Sequence, residues 1–110
     1  MVDNPMMTNI AGIPFRHCIF NAAGPLCVTI EELKAIGASH ASAITMKSCT
    51  LEPRQGNSEP RYIDLPYGSL NSMGLPNEGY KKYCSFVPLL KPYNKPIIAS
   101  VSGLSLADNL

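Results

Sequence analysis

The chain has 110 residues, 45% hydrophobic and 15% charged, a balance that suits one small globular domain and argues against disorder. Nine basic residues against eight acidic ones give a formal net charge of +1, and without a basic cluster there is no electrostatic footprint for DNA, RNA or an anionic membrane. No apolar run approaches the roughly 20 residues of a bilayer span, and Met1-Val2-Asp3-Asn4-Pro5 lacks the order of a secretory signal, so a cytoplasmic protein without membrane partners is expected.

Ten prolines and eight glycines fall mostly between apolar runs, so the elements can be read in order. Residues Thr8 to Ile10 and Pro14 to Phe20 read as short strands around an Ala11-Gly12 turn, the second broken by Asn21-Ala22-Ala23-Gly24-Pro25. Thr29 with Glu32 three residues later has the form of a capping box, which predicts a helix to about Ile36, ahead of Gly37. The unalternating Ala41 to Met46 run suits a strand covered on both faces.

From Ser48 to Asn77 the chain is rich in Pro, Gly, Asn and charge, with only Arg61 to Leu65 suited to pair as a strand. Long loops of this kind in compact domains are often lids or binding loops. A second helix is expected over Glu78 to Leu90, a buried-type strand over Pro96 to Val101, and a third helix from Ser105 with Asp108 in its first turn. This order opens a right-handed parallel α/β array, with Gly24, Lys47 and Gly103 at the C-terminal ends of strands.

The cysteines Cys18, Cys27, Cys49 and Cys84 form no C-x-x-C pair, and His17 and His40 lack metal-ligand spacing. Reduced thiols are therefore expected, with no metal site. By pattern alone, Lys47 reads first as a solvated charge at a strand's end, and Asn71 to Leu75 first as a plain turn.

Five motifs share one order and spacing: Asn21-Ala22-Ala23-Gly24, Lys47-Ser48-Cys49-Thr50, Glu52-Pro53-Arg54-Gln55-Gly56-Asn57, Pro60-Arg61-Tyr62 and Asn71-Ser72-Met73-Gly74-Leu75-Pro76-Asn77. Together they resemble the dihydroorotate dehydrogenases, in particular the soluble, fumarate-using class 1A type, over nearly the whole chain but only about the first third of such an enzyme. The resemblance implies that residues 1–110 form the N-terminal part of a (β/α)8 TIM-type barrel, α/β in class and incomplete here, with a substrate loop over about 48–77.

It further implies an FMN enzyme that oxidises dihydroorotate to orotate in pyrimidine synthesis, with fumarate reduced to succinate, and a homodimeric parent. Ala22, Ala23, Gly24, Lys47 and Ser48 are implied to contact flavin, and Lys47, Asn71, Ser72, Met73, Gly74 and Leu75 the substrate. Lys47 is the catalytic residue implied, acting electrostatically. Pro25 departs from the aliphatic residue expected after Gly24. The family's base cysteine lies in a later loop absent here, which leaves Cys49 as a packing residue and the isolated piece without activity. The chain stops where a helix begins, which favours a truncated enzyme. The alternatives are a non-catalytic or partner-dependent half-barrel, or another pyrimidine-oxidising flavin barrel.

Overall fold

The computed structural model describes residues 5–110. Strands β1 (Thr8–Ile10) and β2 (Ile13–Phe15) form an antiparallel hairpin, Thr8 opposite Phe15. The turn is the expected Ala11-Gly12 pair, both at positive φ, and Asn9 Oδ1 accepts the Gly12 N–H at 2.9 Å. The second strand stops at Phe15 rather than reaching Phe20. Beyond it the chain turns irregular: His17 Nδ1 accepts from Ile19 N–H, and His17 Nε2 bonds the His40 carbonyl at 2.9 Å.

Helix α1 (Ile30–Ala38) starts at the predicted capping box. Thr29 Oγ1 accepts from Glu32 N–H at 3.3 Å, and Glu32 Oε2 accepts from Thr29 and Val28 N–H at 3.0 and 2.8 Å. The helix runs through Gly37 instead of stopping before it. A Cβ at this position would lie 2.6 Å from the Tyr93 ring, so the glycine opens a seat for an aromatic side chain rather than ending the helix.

Strand β3 (Ile44–Thr45) pairs in parallel with β6 (Ile97–Ile98), Ile44 opposite Ile97. Both are shorter than the apolar runs that predicted them, but the pairing continues as a bridge between Cys49 and Val101, with Cys49 N–H donating to Ser100 O and Ser102 N–H to Cys49 O. Between them lies an antiparallel hairpin, exposed along its whole length: β4 (Tyr62–Leu65) falls on the expected Arg61 to Leu65 strand, and its partner β5 (Gly68–Asn71) was not expected. Its second strand, rich in Gly, Ser and Asn, carries no apolar alternation by which it could be read.

Helix α2 (Tyr80–Leu90) begins two residues later than predicted, behind Gly79 at φ 76°, and includes Pro88 near its end. It passes into a 3-10 turn, Lys91–Tyr93. The third helix is a single 3-10 turn, Ala107–Asn109, although Ser105 and Asp108 cap it reciprocally: Ser105 Oγ accepts from Asp108 N–H and Asp108 Oδ2 from Ser105 N–H.

One core joins these parts. Leu33, Ile44 and Leu90 are fully buried among Cys27, Met46, Cys49, Tyr83 and Phe86, with α1 packed on both β3 and α2. The parallel sheet has two strands, and the molecule is a partial α/β piece rather than a closed barrel. Closure by the barrel route takes eight strands and about 250 residues.

Candidate functional site

The loops that carry the sequence candidates are joined at the C-terminal ends of β3 and β6. The first, Ala22 to Gly24, wraps around the buried thiol of Cys27, whose Sγ lies 3.2 Å from Gly24 N and 3.3 Å from Gly24 O. The Cys27 carbonyl accepts the Lys47 N–H at 3.1 Å, which ties this loop to the end of β3. A Cβ on Gly24 would meet nothing closer than the Ala22 carbonyl at 3.9 Å, so the backbone here is open on that side.

Lys47 and Ser48 are half-buried. Among the described residues no hydrogen bond or ion pair engages the Lys47 ammonium. Ser48 Oγ lies 2.7 Å from Ser100 Oγ, a hydroxyl pair that links the two parallel strands just past their ends. Cys49 is buried, its thiol 3.4 Å from the Ser100 carbonyl, and burial pushes its pKa up. Cys49 packs in the core cluster with Tyr83 and Phe86.

Asn71 ends β5 opposite Tyr62, exposed, and Ser72 follows with its N–H on the Arg61 carbonyl at 2.9 Å. The two border a cleft of about 330 Å³ with Arg61, Tyr62, Ile63 and Leu70. From there the backbone turns sharply through Gly74 (φ 73°) and Leu75 (φ 57°).

Every carbonyl of this turn is engaged from the 54–57 segment or from Asn77. Ser72 O accepts from Asn57 Nδ2 at 2.7 Å, Met73 O from Asn57 N–H at 2.9 Å, Gly74 O from Arg54 Nη2 at 3.4 Å and Leu75 O from Asn77 Nδ2 at 3.0 Å. In a planar trans peptide the N–H points opposite to the carbonyl of the same unit. The Met73, Gly74 and Leu75 N–H groups therefore face away from the 54–57 segment, and among the described residues none has a hydrogen-bond acceptor. Successive outward N–H groups around a turn make an edge that suits a carboxylate or an imide oxygen.

Sequence reasoning named this turn but missed what holds it. Asn77 is buried and uses its whole hydrogen-bonding capacity: Oδ1 accepts from Thr50 and Gly79 N–H at 3.1 and 2.9 Å, while Nδ2 donates to Thr50 Oγ1 and Leu75 O, both at 3.0 Å. Arg54 and Asn77 exchange backbone bonds, and Arg61 Nη1 donates to the Gln55 and Asn57 carbonyls. Arg61 Nε also sits 2.9 Å from Glu59 Oε1, an ion pair too poorly aligned to be a hydrogen bond. The signal was present in the Arg and Asn residues spaced through a Pro- and Gly-rich loop, but such residues serve turns and ligands alike.

The structure thus joins Ala22–Gly24 to Lys47 through Cys27, and the 71–77 run to the segment just beyond Lys47 through Thr50. It forms no hydrogen bond between Lys47 and the 71–75 turn among the described residues. Fold and site together define a partial α/β protein in which Lys47 and Ser48 stand just past the carboxyl end of a parallel strand, the end at which barrel enzymes carry their active sites.

The comparisons with known proteins make that class specific. A family model described as dihydroorotate dehydrogenase matches residues 5–110, and the chain belongs to this family. It is 46% identical over 106 residues to the dihydroorotate dehydrogenase (fumarate) of Trypanosoma brucei brucei, covering 96% of this chain and 34% of that protein. It is 47% identical over 103 residues to the protein of the same name from Trypanosoma cruzi, covering 93% of this chain and 33% of the relative. The chain spans about a third of the length of the curated relatives it matches. Among the described residues, no helix is long and apolar enough to cross a membrane.

Proposed function

We propose that this chain contributes the first part of an FMN-dependent dihydroorotate dehydrogenase site that oxidises dihydroorotate to orotate, with fumarate as the electron acceptor. The observation that carries the reading is the outward row of Met73, Gly74 and Leu75 N–H groups, on a turn anchored to the strand segment that carries Lys47. A pyrimidine carboxylate needs donors for its anionic and imide edges. Three fixed N–H groups and the Asn71 amide supply such donors without reorganisation when the ligand arrives.

On this reading Lys47 and the Ala22–Gly24 loop, with Ser48, hold FMN, which when bound would accept the hydride. The Lys47 ammonium pairs with the substrate carboxylate and favours negative charge on the reduced site. Its half-burial strengthens that pairing relative to bulk water. The proton acceptor is not among Cys18, Cys27, Cys49 and Cys84 as the chain presents them: two are buried, and the exposed Cys18 and Cys84 lie outside the motifs. A working parent supplies that base and the phosphate grip from further sequence, and functions in the cytoplasm as a homodimer.

The test is the flavin absorption spectrum of the purified native protein, before and after anaerobic addition of dihydroorotate. A flavin band that bleaches and recovers with fumarate supports the reading. Absence of bound flavin and of any response to dihydroorotate would leave a non-catalytic piece, with Lys47 and Asn71 marking half a site.

A further inference from the structure

We infer that Asn57 is a positioning residue for the substrate turn, setting which way its peptide groups face; this rests on the reading of residues 71–75 given above. Asn57 grips two consecutive peptide units at once, with Nδ2 on Ser72 O at 2.7 Å and its backbone N–H on Met73 O at 2.9 Å. Its own carbonyl is fixed by Arg61 Nη1 at 3.1 Å. Contact with the turn is direct: a Cβ built on Gly74 would lie 2.6 Å from Asn57 Cγ, N and Oδ1.

Each carbonyl turned toward Asn57 turns the N–H of the same peptide unit outward. The first grip thus presents the Met73 N–H, and the second the Gly74 N–H. Asn57 touches no ligand in this scheme. It is also exposed to solvent, so its replacement leaves the buried core intact.

What matters at this position is a donor. Asn57→Asp is nearly isosteric but faces the Ser72 carbonyl with an acceptor, so that carbonyl rotates away and the Met73 N–H swings inward. Asn57→Ala removes the side-chain bond without repulsion and keeps the backbone bond to Met73. A residue that merely filled space would rank the other way, with Asp tolerated better than Ala.

The experiment uses the isotope-labelled native protein in three forms: unsubstituted, Asn57→Ala and Asn57→Asp. Without ligand, the scalar coupling across the hydrogen bond from Asn57 N to Met73 C′ is expected in the first two and lost or weakened in Asn57→Asp, together with a change in Met73 amide exchange. Orotate titration followed at the Met73, Gly74 and Leu75 amides is then expected to weaken about threefold for Asn57→Ala and about tenfold or more for Asn57→Asp, the scale of one hydrogen bond to a charged group.

The ligand-free coupling separates this effect from repulsion between a new carboxylate and an anionic ligand. If the coupling is absent in the unsubstituted chain, or unchanged in Asn57→Asp, the positioning role is overturned whatever orotate does. If the couplings behave as expected but the unsubstituted native protein, further sequence included, does not respond to orotate, the substrate reading fails while Asn57 still sets the turn.

Discussion

The side-chain amide of Asn21 pairs with both backbone groups of Thr45: Nδ2 donates to the Thr45 carbonyl at 2.8 Å, and Oδ1 accepts its N–H at 2.9 Å. An amide here takes the position of a neighbouring strand's peptide, just past the end predicted for the second strand. It also fixes the start of the Ala22–Gly24 loop beside β3.

Asn21→Ala strips Thr45, a buried residue, of both partners. A loss of about 2–3 kcal/mol in urea unfolding is expected, since each buried backbone group left unpaired costs about 1–3 kcal/mol. Asn21→Asp keeps the shape but sets an acceptor against the Thr45 carbonyl, and should be destabilised at least as much. Near-native stability of the Asp variant would remove the pairing from the account.

Asn77 holds the substrate turn, the β3 exit and the start of α2 together through Thr50, Leu75 and Gly79. Asn77→Ala should release all three, costing about 2–4 kcal/mol for a fully bonded buried amide. Hydrogen exchange is the sharper readout: the Thr50 and Gly79 amides should lose protection, while Leu33 in α1 changes only with global stability. Uniform acceleration along the chain would mean that the three segments are not joined at this residue.

Thiol labelling should divide the cysteines in two. Cys18 and Cys84 are exposed, whereas Cys27 and Cys49 are buried. In native protein a disulfide reagent at pH 8 should modify the first pair promptly and the second only as the chain opens, with Cys27→Ala removing one slow site. Fast reaction at Cys27 would contradict its enclosure by the Ala22–Gly24 loop.

Alkaline pH should destabilise the fold through Cys49 and Tyr83. Burial raises the Cys49 pKa from its ordinary 9.0 and moves Tyr83 from 10.0 to about 12. Both groups hold their protons more tightly when folded, so their contribution is full below pH 9 and is lost as pH rises toward 12. The Glu78 backbone partly offsets the shift at Tyr83, but no well-formed hydrogen bond reaches the buried hydroxyl. Tyr83→Phe should therefore be neutral or stabilising by up to about 1 kcal/mol at pH 7 and should flatten the loss above pH 10. An unchanged alkaline profile in this variant would exclude Tyr83 as its source.

On the proposed function, Lys47→Ala should abolish orotate binding or slow flavin reduction by orders of magnitude in the flavin-loaded protein. Lys34→Ala, on the exposed side of α1, serves as the charge control and should change neither. Reduction at a near-normal rate in Lys47→Ala would refute its electrostatic role.

The local elements were legible where a short-range rule acts alone. The Thr29–Glu32 capping box, the Ala11-Gly12 turn and the body of α2 depend on neighbours within a few residues, so sequence specifies them directly. The same holds for the family, because five motifs in fixed order carry information that no single one does. Sequence thus determined most of the elements and their order, and named the candidate site residues Lys47 and Asn71 to Leu75.

Tertiary structure decided the rest. Gly37 reads as a helix stop until the Tyr93 ring is seen to need its missing Cβ, and β5, the partner strand of β4, has no apolar alternation to announce it. The direction of the Met73, Gly74 and Leu75 N–H groups depends on Arg54, Asn57 and Asn77, which lie up to 20 residues away along the chain or act through side-chain amides whose partners no local pattern names. A peptide unit can face either way at little cost in its own residues; what fixes it is the donor that the fold brings to its carbonyl.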